Sequence, residues 1–168
     1  MKPARSVSAY ALVCAVLLIT ACAAPTPAPR LSNAASWHGR LALRMEPGLP
    51  DGAPQAFSAG FELSGNAQSG TLTLLTPLGS TAAAMTWSPG FAGLRSNGEL
   101  RQFESLEALL RSAVGTEVPV TALFAWLRGE NMTLAGWSAD LTQYASCRIT
   151  ARRQQPAPAT ELTLLFEP

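Results

Sequence analysis

The sequence predicts a mainly β fold with helices: one curved antiparallel sheet carrying two short helices on one face. Three observations predict it. From Trp37 onward, apolar residues recur with a period of two, in short runs divided by Gly, Pro and Asn turns. Between Ser105 and Gly129 the period changes twice to that of a helix. After that the strand pattern returns and continues to the end of the chain.

The strands come first. "WHGRLALRM" sets Leu41, Leu43 and Met45 on one face, opposite Arg40 and Arg44. "FSAGFELSG" sets Phe57, Ala59, Phe61 and Leu63 opposite Ser58, Gly60, Glu62 and Ser64. This alternation is that of an antiparallel strand with one buried face. "GNAQSG" turns the chain, and "TLTLL" follows with Leu72 and Leu74 on one face. "TPLGS" then makes a turn with a large apolar residue, Leu78, between Pro77 and Gly79. "STAAAMTW", "FAGLRS" and "ELRQF" continue the meander, joined by "SPG" and by Asn97-Gly98, a hairpin signal.

"SLEALLRSAVG" opens the helical part, with Ser105 as N-cap and Leu106, Leu109, Leu110, Ala113 and Val114 on one stripe. "PVTALFAWLRG" starts on Pro119, carries Val120, Leu123, Phe124 and Leu127 at i, i+3, i+4 and i+7, and stops at Gly129. Trp126 falls on a neighbouring face. Strands are expected again around "MTLAGW", "YASCRITARR" and "ELTLLFEP", with "QQPAPA" as a loop. A curled sheet under helices either fills its own core or encloses an apolar ligand. Periodicity by itself favours the self-filled core.

The N-terminus speaks of compartment. Lys2 and Arg5 precede an unbroken apolar run from Ala9 to Ala21. The charged flank and short apolar core are those of a secretory signal peptide. A bilayer-spanning helix needs about 20 apolar residues, and Pro25, Pro27 and Pro29 stop this run from extending. Ile19-Thr20-Ala21-Cys22 resembles the bacterial lipobox, which implies cleavage before Cys22 and lipid on its thiol. Residues 1–21 are then a lipoprotein signal peptide, 22–36 a Pro/Ala-rich tether, and 37–168 the folded domain. Losing residues 1–21 from the 168-residue chain leaves 147, suited to one domain. Lys2 and Arg5 leave too, so the 12 basic residues fall to 10 against 11 acids. Those ten are all arginine and scattered, which argues against a nucleic-acid partner.

No catalytic constellation is present. His38 is the one histidine, with no signal for a serine and carboxylate beside it, and reads as a surface or structural residue. There is no G-x-S-x-G, H-E-x-x-H, C-x-x-C, P-loop or dinucleotide motif. Glu104, Glu107 and Glu117 read as solvated positions in or beside the first helix. Cys14 leaves with the signal and Cys22 carries lipid, so Cys147 has no partner for an intrachain disulfide. Its alternation with Ala145 and Ile149 places it on an apolar strand face as an inert thiol. These readings shift the expectation from an enzyme to a binder.

Four stretches taken together resemble the LolB family of outer-membrane lipoprotein receptors. They are Trp37-His38-Gly39-Arg40-Leu41-Ala42-Leu43, Phe57-Ser58-Ala59-Gly60-Phe61, Leu74-Leu75-Thr76-Pro77-Leu78-Gly79-Ser80-Thr81, and Pro119 … Leu123 … Trp126-Leu127-Arg128-Gly129. The resemblance runs from the lipobox to about Gly129 and matches only loosely beyond Trp137. It implies an unclosed antiparallel β-barrel, a half-barrel covered by a short helical lid and enclosing an apolar cavity. It also implies that acylated lipoprotein cargo is received from the periplasmic chaperone LolA and released into the outer membrane, with no covalent step.

On that resemblance, Leu41, Leu43, Phe57, Phe61, Leu63, Leu72 and Leu74 become the acyl-chain surface. Leu109, Leu110, Val114, Leu123, Phe124 and Leu127 become the lid. Pro77, Leu78 and Gly79 become the membrane insertion loop, with Leu78 as its lipid-contacting residue. The expected protein is a monomer on the periplasmic face of the outer membrane, held there by lipid on Cys22. It has no cofactor and no metal, and cargo acyl chains are its ligand. The alternative is a structural or assembly lipoprotein with a protein partner and no acyl cavity. An acceptor should show a mainly apolar cavity of several hundred Å³ between sheet and helices, on the order usual for ligand sites.

Overall fold

The computed structural model describes residues 35–47, 53–114 and 117–167. The expected signal peptide, lipidated Cys22 and nearly all of the tether lie outside them. β1 is Ser36–Met45, β2 Gln55–Gly65, β3 Gly70–Leu75, β4 Thr81–Ser88, β5 Phe91–Ser96 and β6 Glu99–Phe103. Two helices follow, α1 (Leu106–Val114) and α2 (Val120–Leu127), and then β7 (Trp137–Asp140), β8 (Arg148–Arg153) and β9 (Thr160–Glu167).

All nine strands form one sheet in the order β6-β5-β4-β3-β2-β1-β9-β8-β7, every pair antiparallel. The first six make a meander. The last three return to the other side of β1, which becomes an interior strand next to the central strand β2. β6 and β7 end the sheet without pairing to each other, so among the described residues the barrel is unclosed.

Local chemistry sets the turns. Ser96 pairs with Glu99, and Asn97 (φ 53°) and Gly98 (φ 81°) take the two left-handed positions of a tight hairpin turn. Asn66 turns β2 into β3, its Oδ1 accepting from the amides of Gln68 (2.8 Å) and Ser69 (3.0 Å). Gly39 in β1 has a different reason. A Cβ there would lie 2.0 Å from the Leu165 carbonyl oxygen, so only glycine allows β9 to approach.

Ser105 caps α1, its Oγ accepting from the Ala108 amide at 3.2 Å. α2 ends in a Schellman arrangement. The Glu130 amide donates to Ala125 O and the Gly129 amide to Trp126 O, with Gly129 at φ 79°. Every residue of α2 except exposed Thr121 and half-buried Leu123 is buried. A helix apolar all round belongs inside. Phe124 meets Trp37 edge-on at 5.7 Å and lies 6.4 Å from Trp87, tying α2 to the concave face of the sheet. On its other side, Trp126 packs 6.4 Å from Trp137 and donates to Met132 O at 2.8 Å.

The structure corrects several sequence-based expectations. The strand expected around "MTLAGW" begins only at Trp137. Leu134 makes a single bridge to Trp137, and Ala135 (φ 52°) and Gly136 (φ 78°) turn the chain between them. "YASCRITARR" is not one strand, because Tyr144–Ser146 forms a 3₁₀ turn and β8 starts at Arg148. Cys147 is the left-handed residue between them, at φ 55°, and is half-buried instead of lying on a strand face. In α1, Ala113 faces solvent, so the buried stripe is narrower than its spacing suggests. Val114 ends that helix, and its side chain lies outside the described residues.

Candidate functional site

The inward faces of the sheet and the two helices meet around an apolar cavity of about 90 Å³. The sheet contributes Leu41 and Leu43 from β1, Phe57 and Leu63 from β2, Leu72 and Leu74 from β3, Met85 and Trp87 from β4, and Leu162 and Leu164 from β9. The helical side contributes Leu106, Leu110, Val118, Val120 and Leu123. No lining side chain carries a charge. The apolar inventory is that of a site for hydrocarbon, which binds without direction and in proportion to area.

The register explains the convergence. Leu43 stands opposite Phe57 and Leu162, Leu41 opposite Leu164, and Leu63 opposite Leu72. Directly opposed residues share a face, so one phase of alternation carries apolar side chains across several strands. Of the sheet residues named from sequence, Leu41, Leu43, Phe57, Leu63, Leu72 and Leu74 line the cavity. Phe61 is buried on the same face, at 2% exposure, but does not line it. Of the named lid residues, Leu110 and Leu123 line it. Leu109, Phe124 and Leu127 are buried elsewhere in the core.

Met85, Trp87, Val118, Leu162 and Leu164 were not singled out from sequence, and Leu106 and Val120 were placed on the helical stripes but not assigned to the site. Two signals were there to be used. Met85 and Trp87 alternate in β4, and Leu162 and Leu164 alternate in β9. What the sequence lacked was the knowledge that β9 returns beside β1.

The cavity is much smaller than the several hundred Å³ expected of an open acceptor. Side chains of the helices and the sheet interdigitate and take up the space between them. A larger hollow, about 440 Å³, lies elsewhere. Asp140, Gln143, Arg148, Thr150 and Arg152 line it, and this polar set does not suit an acyl chain.

Phe57 marks the open side. It lines the cavity yet is 41% exposed, near the end of β2 that pairs with Met45. The loop between β3 and β4 is at the same end of the sheet. It is held by its own bonds: the Thr76 amide to Ser80 O (2.8 Å), the Gly79 amide to Thr76 O (2.9 Å), and the Ser80 amide to Thr76 Oγ1 (3.2 Å). Pro77 presets the turn, and Gly79 at φ 80° closes it. A Cβ on Gly79 would meet nothing within 4 Å, so the glycine serves the backbone angle and not a close approach. Leu78 is 93% exposed at the tip.

No ionisable side chain lines this cavity. His38 sits on the outer face, its Nε2 3.1 Å from Glu167 Oε2. The hydrogen bond from Arg128 holds the Glu130 carboxyl below its ordinary range. Asp140 is held low chiefly by the Thr142 hydroxyl, then by the Thr142 amide. Among the described residues, no group of three or more His, Cys, Asp or Glu gathers as a metal site. No helix among them is long and apolar enough to cross a membrane.

Comparison with known proteins agrees with this geometry. A family model described as "Outer membrane lipoprotein LolB" matches residues 34–158, well past Gly129, where the resemblance in sequence motifs faded. The outer-membrane lipoprotein LolB of Bordetella parapertussis is 33% identical, over 92% of this chain and 89% of its own. That of an Azoarcus species is 33% identical over 76% of this chain and 66% of its own. That of Shewanella woodyi is 30% identical over 71% of this chain and 57% of its own. A half-barrel with an apolar interior under two helices, matched along most of its length, places this chain in the LolB family of outer-membrane lipoproteins.

Proposed function

We propose that this protein accepts acylated lipoproteins from a LolA-like periplasmic chaperone and inserts them into the outer membrane. The observation that carries the reading is a wholly apolar cavity whose exposed edge, at Phe57, shares one end of the sheet with Leu78. Acyl chains enter between sheet and helices, and Leu78 contacts lipid during release. The protein works as a monomer on the periplasmic face, held by lipid on Cys22. It forms no bond and needs no cofactor or metal. Transfer runs forward if the receptor holds acyl chains more tightly than the carrier, and about 1.4 kcal/mol gives a tenfold bias.

A cavity of about 90 Å³ is well below the several hundred Å³ usual for ligand sites. Acceptance therefore requires the helices to move off the sheet. The family match and the apolar interior weigh against the alternative, an assembly lipoprotein without an acyl cavity.

The decisive experiment is transfer in vitro. The mature chain without its own lipid, mixed with a LolA–lipoprotein complex, is expected to take the cargo. Cargo remaining on LolA would reject the reading. Acyl affinity is also expected to be flat between about pH 5 and pH 8, because no cavity-lining group titrates there. Glu130 and Asp140 have lowered folded-state pKa values. Their stabilisation is complete above the ordinary carboxylate range and lost only in acid, below this window. A sloping affinity profile would place a titrating group in the site.

A further inference from the structure

β2 outruns its neighbour. It pairs with β1 along its whole length, from Gln55 opposite Met45 to Ser64 opposite Ser36. It pairs with β3 only from Gly60, opposite Leu75, onward. Residues 55–59 therefore have a strand on one side and none on the other, among the described residues.

Backbone phase decides what that side offers. In an antiparallel pair, hydrogen-bonded residues alternate with residues whose backbone turns to the opposite side. The Gly65 amide donates to Ala35 O at 3.1 Å, so Gly65, Leu63, Phe61, Ala59 and Phe57 turn toward β1. The Glu46 amide donates to Ala159 O at 2.8 Å, which gives the same phase from the other side of β1. Ala56 and Ser58 therefore direct their N–H and C=O groups to the bare side. If β3 continued in register, Pro77 would stand opposite Ser58. Proline has no N–H to donate, and the chain turns away into a loop bonded to itself.

Between these two residues, Phe57 points inward and lines the cavity, as does its partner Leu43. Ala56 and Ser58 are exposed, and no charge lies between residues 53 and 59. An acyl chain seated against Phe57 would bring the polypeptide attached to it to this edge. We propose that the extended segment following the acylated cysteine of a cargo lipoprotein adds here as a short strand, bonding to Ala56 and Ser58. This rests on the acyl-acceptor reading and extends it to the peptide part of the cargo. Backbone bonding gives affinity without reading side chains, which suits a receptor serving many cargo sequences. The bare stretch is about 17 Å long at about 3.4 Å per residue, enough for a strand of that length.

The test uses the mature chain, residues 22–168, carrying Cys22→Ala. Two fluorescent probes are compared: a triacylated cysteine amide, and the same group followed by a short Ala/Ser peptide. The peptide-bearing probe is expected to bind about tenfold more tightly, because each backbone hydrogen bond adds only modestly to affinity in water. Ser58→Pro removes one outward N–H and should lose most of that advantage while binding the amide unchanged. A peptide N-methylated at alternate amides should lose it on the unaltered edge, which needs no folded variant. The Ala56 and Ser58 amides should gain hydrogen-exchange protection with the peptide probe alone. Equal binding of both probes, or an advantage untouched by N-methylation, overturns the proposal. Binding of neither probe overturns the acyl-acceptor reading and this proposal with it.

Discussion

Leu78→Glu is expected to separate release from acceptance. The variant should fold with unchanged thermal stability, because Leu78 is 93% exposed and nothing lies near the neighbouring Gly79. It should still take acyl probes, because Leu78 does not line the cavity. Delivery into liposomes should fall by about one to two orders of magnitude, since a carboxylate entering hydrocarbon costs about 2.5–3.5 kcal/mol at full depth and less near the surface. The measurement is paired: probe affinity in solution, and cargo recovered with floated vesicles. Loss of folding would make Leu78 a core residue. Unimpaired delivery would remove the loop from the insertion step. A Leu78→Met control should behave like the parent, because it keeps apolar volume at the tip.

Phe124→Ala is expected to be the most damaging single core change. The ring is 1% exposed and touches both Trp37 and Trp87, so it joins α2 to two strands. Truncating a buried Phe typically costs about 3–5 kcal/mol. That is a large share of the stability of a domain this size, commonly about 5–15 kcal/mol. Denaturant unfolding should show the loss as a lowered midpoint. Acyl binding should weaken with it, because α2 also carries Val120 and Leu123 into the cavity. A stable variant with full binding would mean that other contacts hold the helix to the sheet. Phe124→Leu should recover part of the stability, since it restores apolar volume without the edge-on ring contact.

The legible part of the fold was the part governed by neighbours in sequence. Phe57, Ala59, Phe61 and Leu63 announced one face of β2, and Asn97-Gly98 announced its turn because few other residues accept two left-handed positions in succession. Ser105 announced a helix start through its hydroxyl. The less legible part followed from distant partners. β7 is short and its strand begins at Trp137, where Nε1 donates to Glu117 O at 3.0 Å and Arg153 lies over the ring at 5.7 Å. Neither partner is local. Cys147 was misplaced because alternation ignores backbone angle, and a φ of 55° breaks the phase. Trp126 was set on a side face of α2, whereas it is fully buried, with Trp137 and the Met132 carbonyl as its partners.

Compartment signals, strand and helix periods, and the leucine between a proline and a glycine could be read from the chain before it was folded. These depend on residues within a few positions of one another, where covalent geometry and side-chain alternation leave little choice. Long-range packing places β9 beside β1 and brings Leu162 and Leu164 to the cavity wall. It alone decided that the interior closes to about 90 Å³, and that Ala56 and Ser58 are left without a strand. Those outcomes turn on how far each strand extends beside its neighbour and how side chains from opposite layers share one volume. Neither quantity is a property of any short stretch of chain.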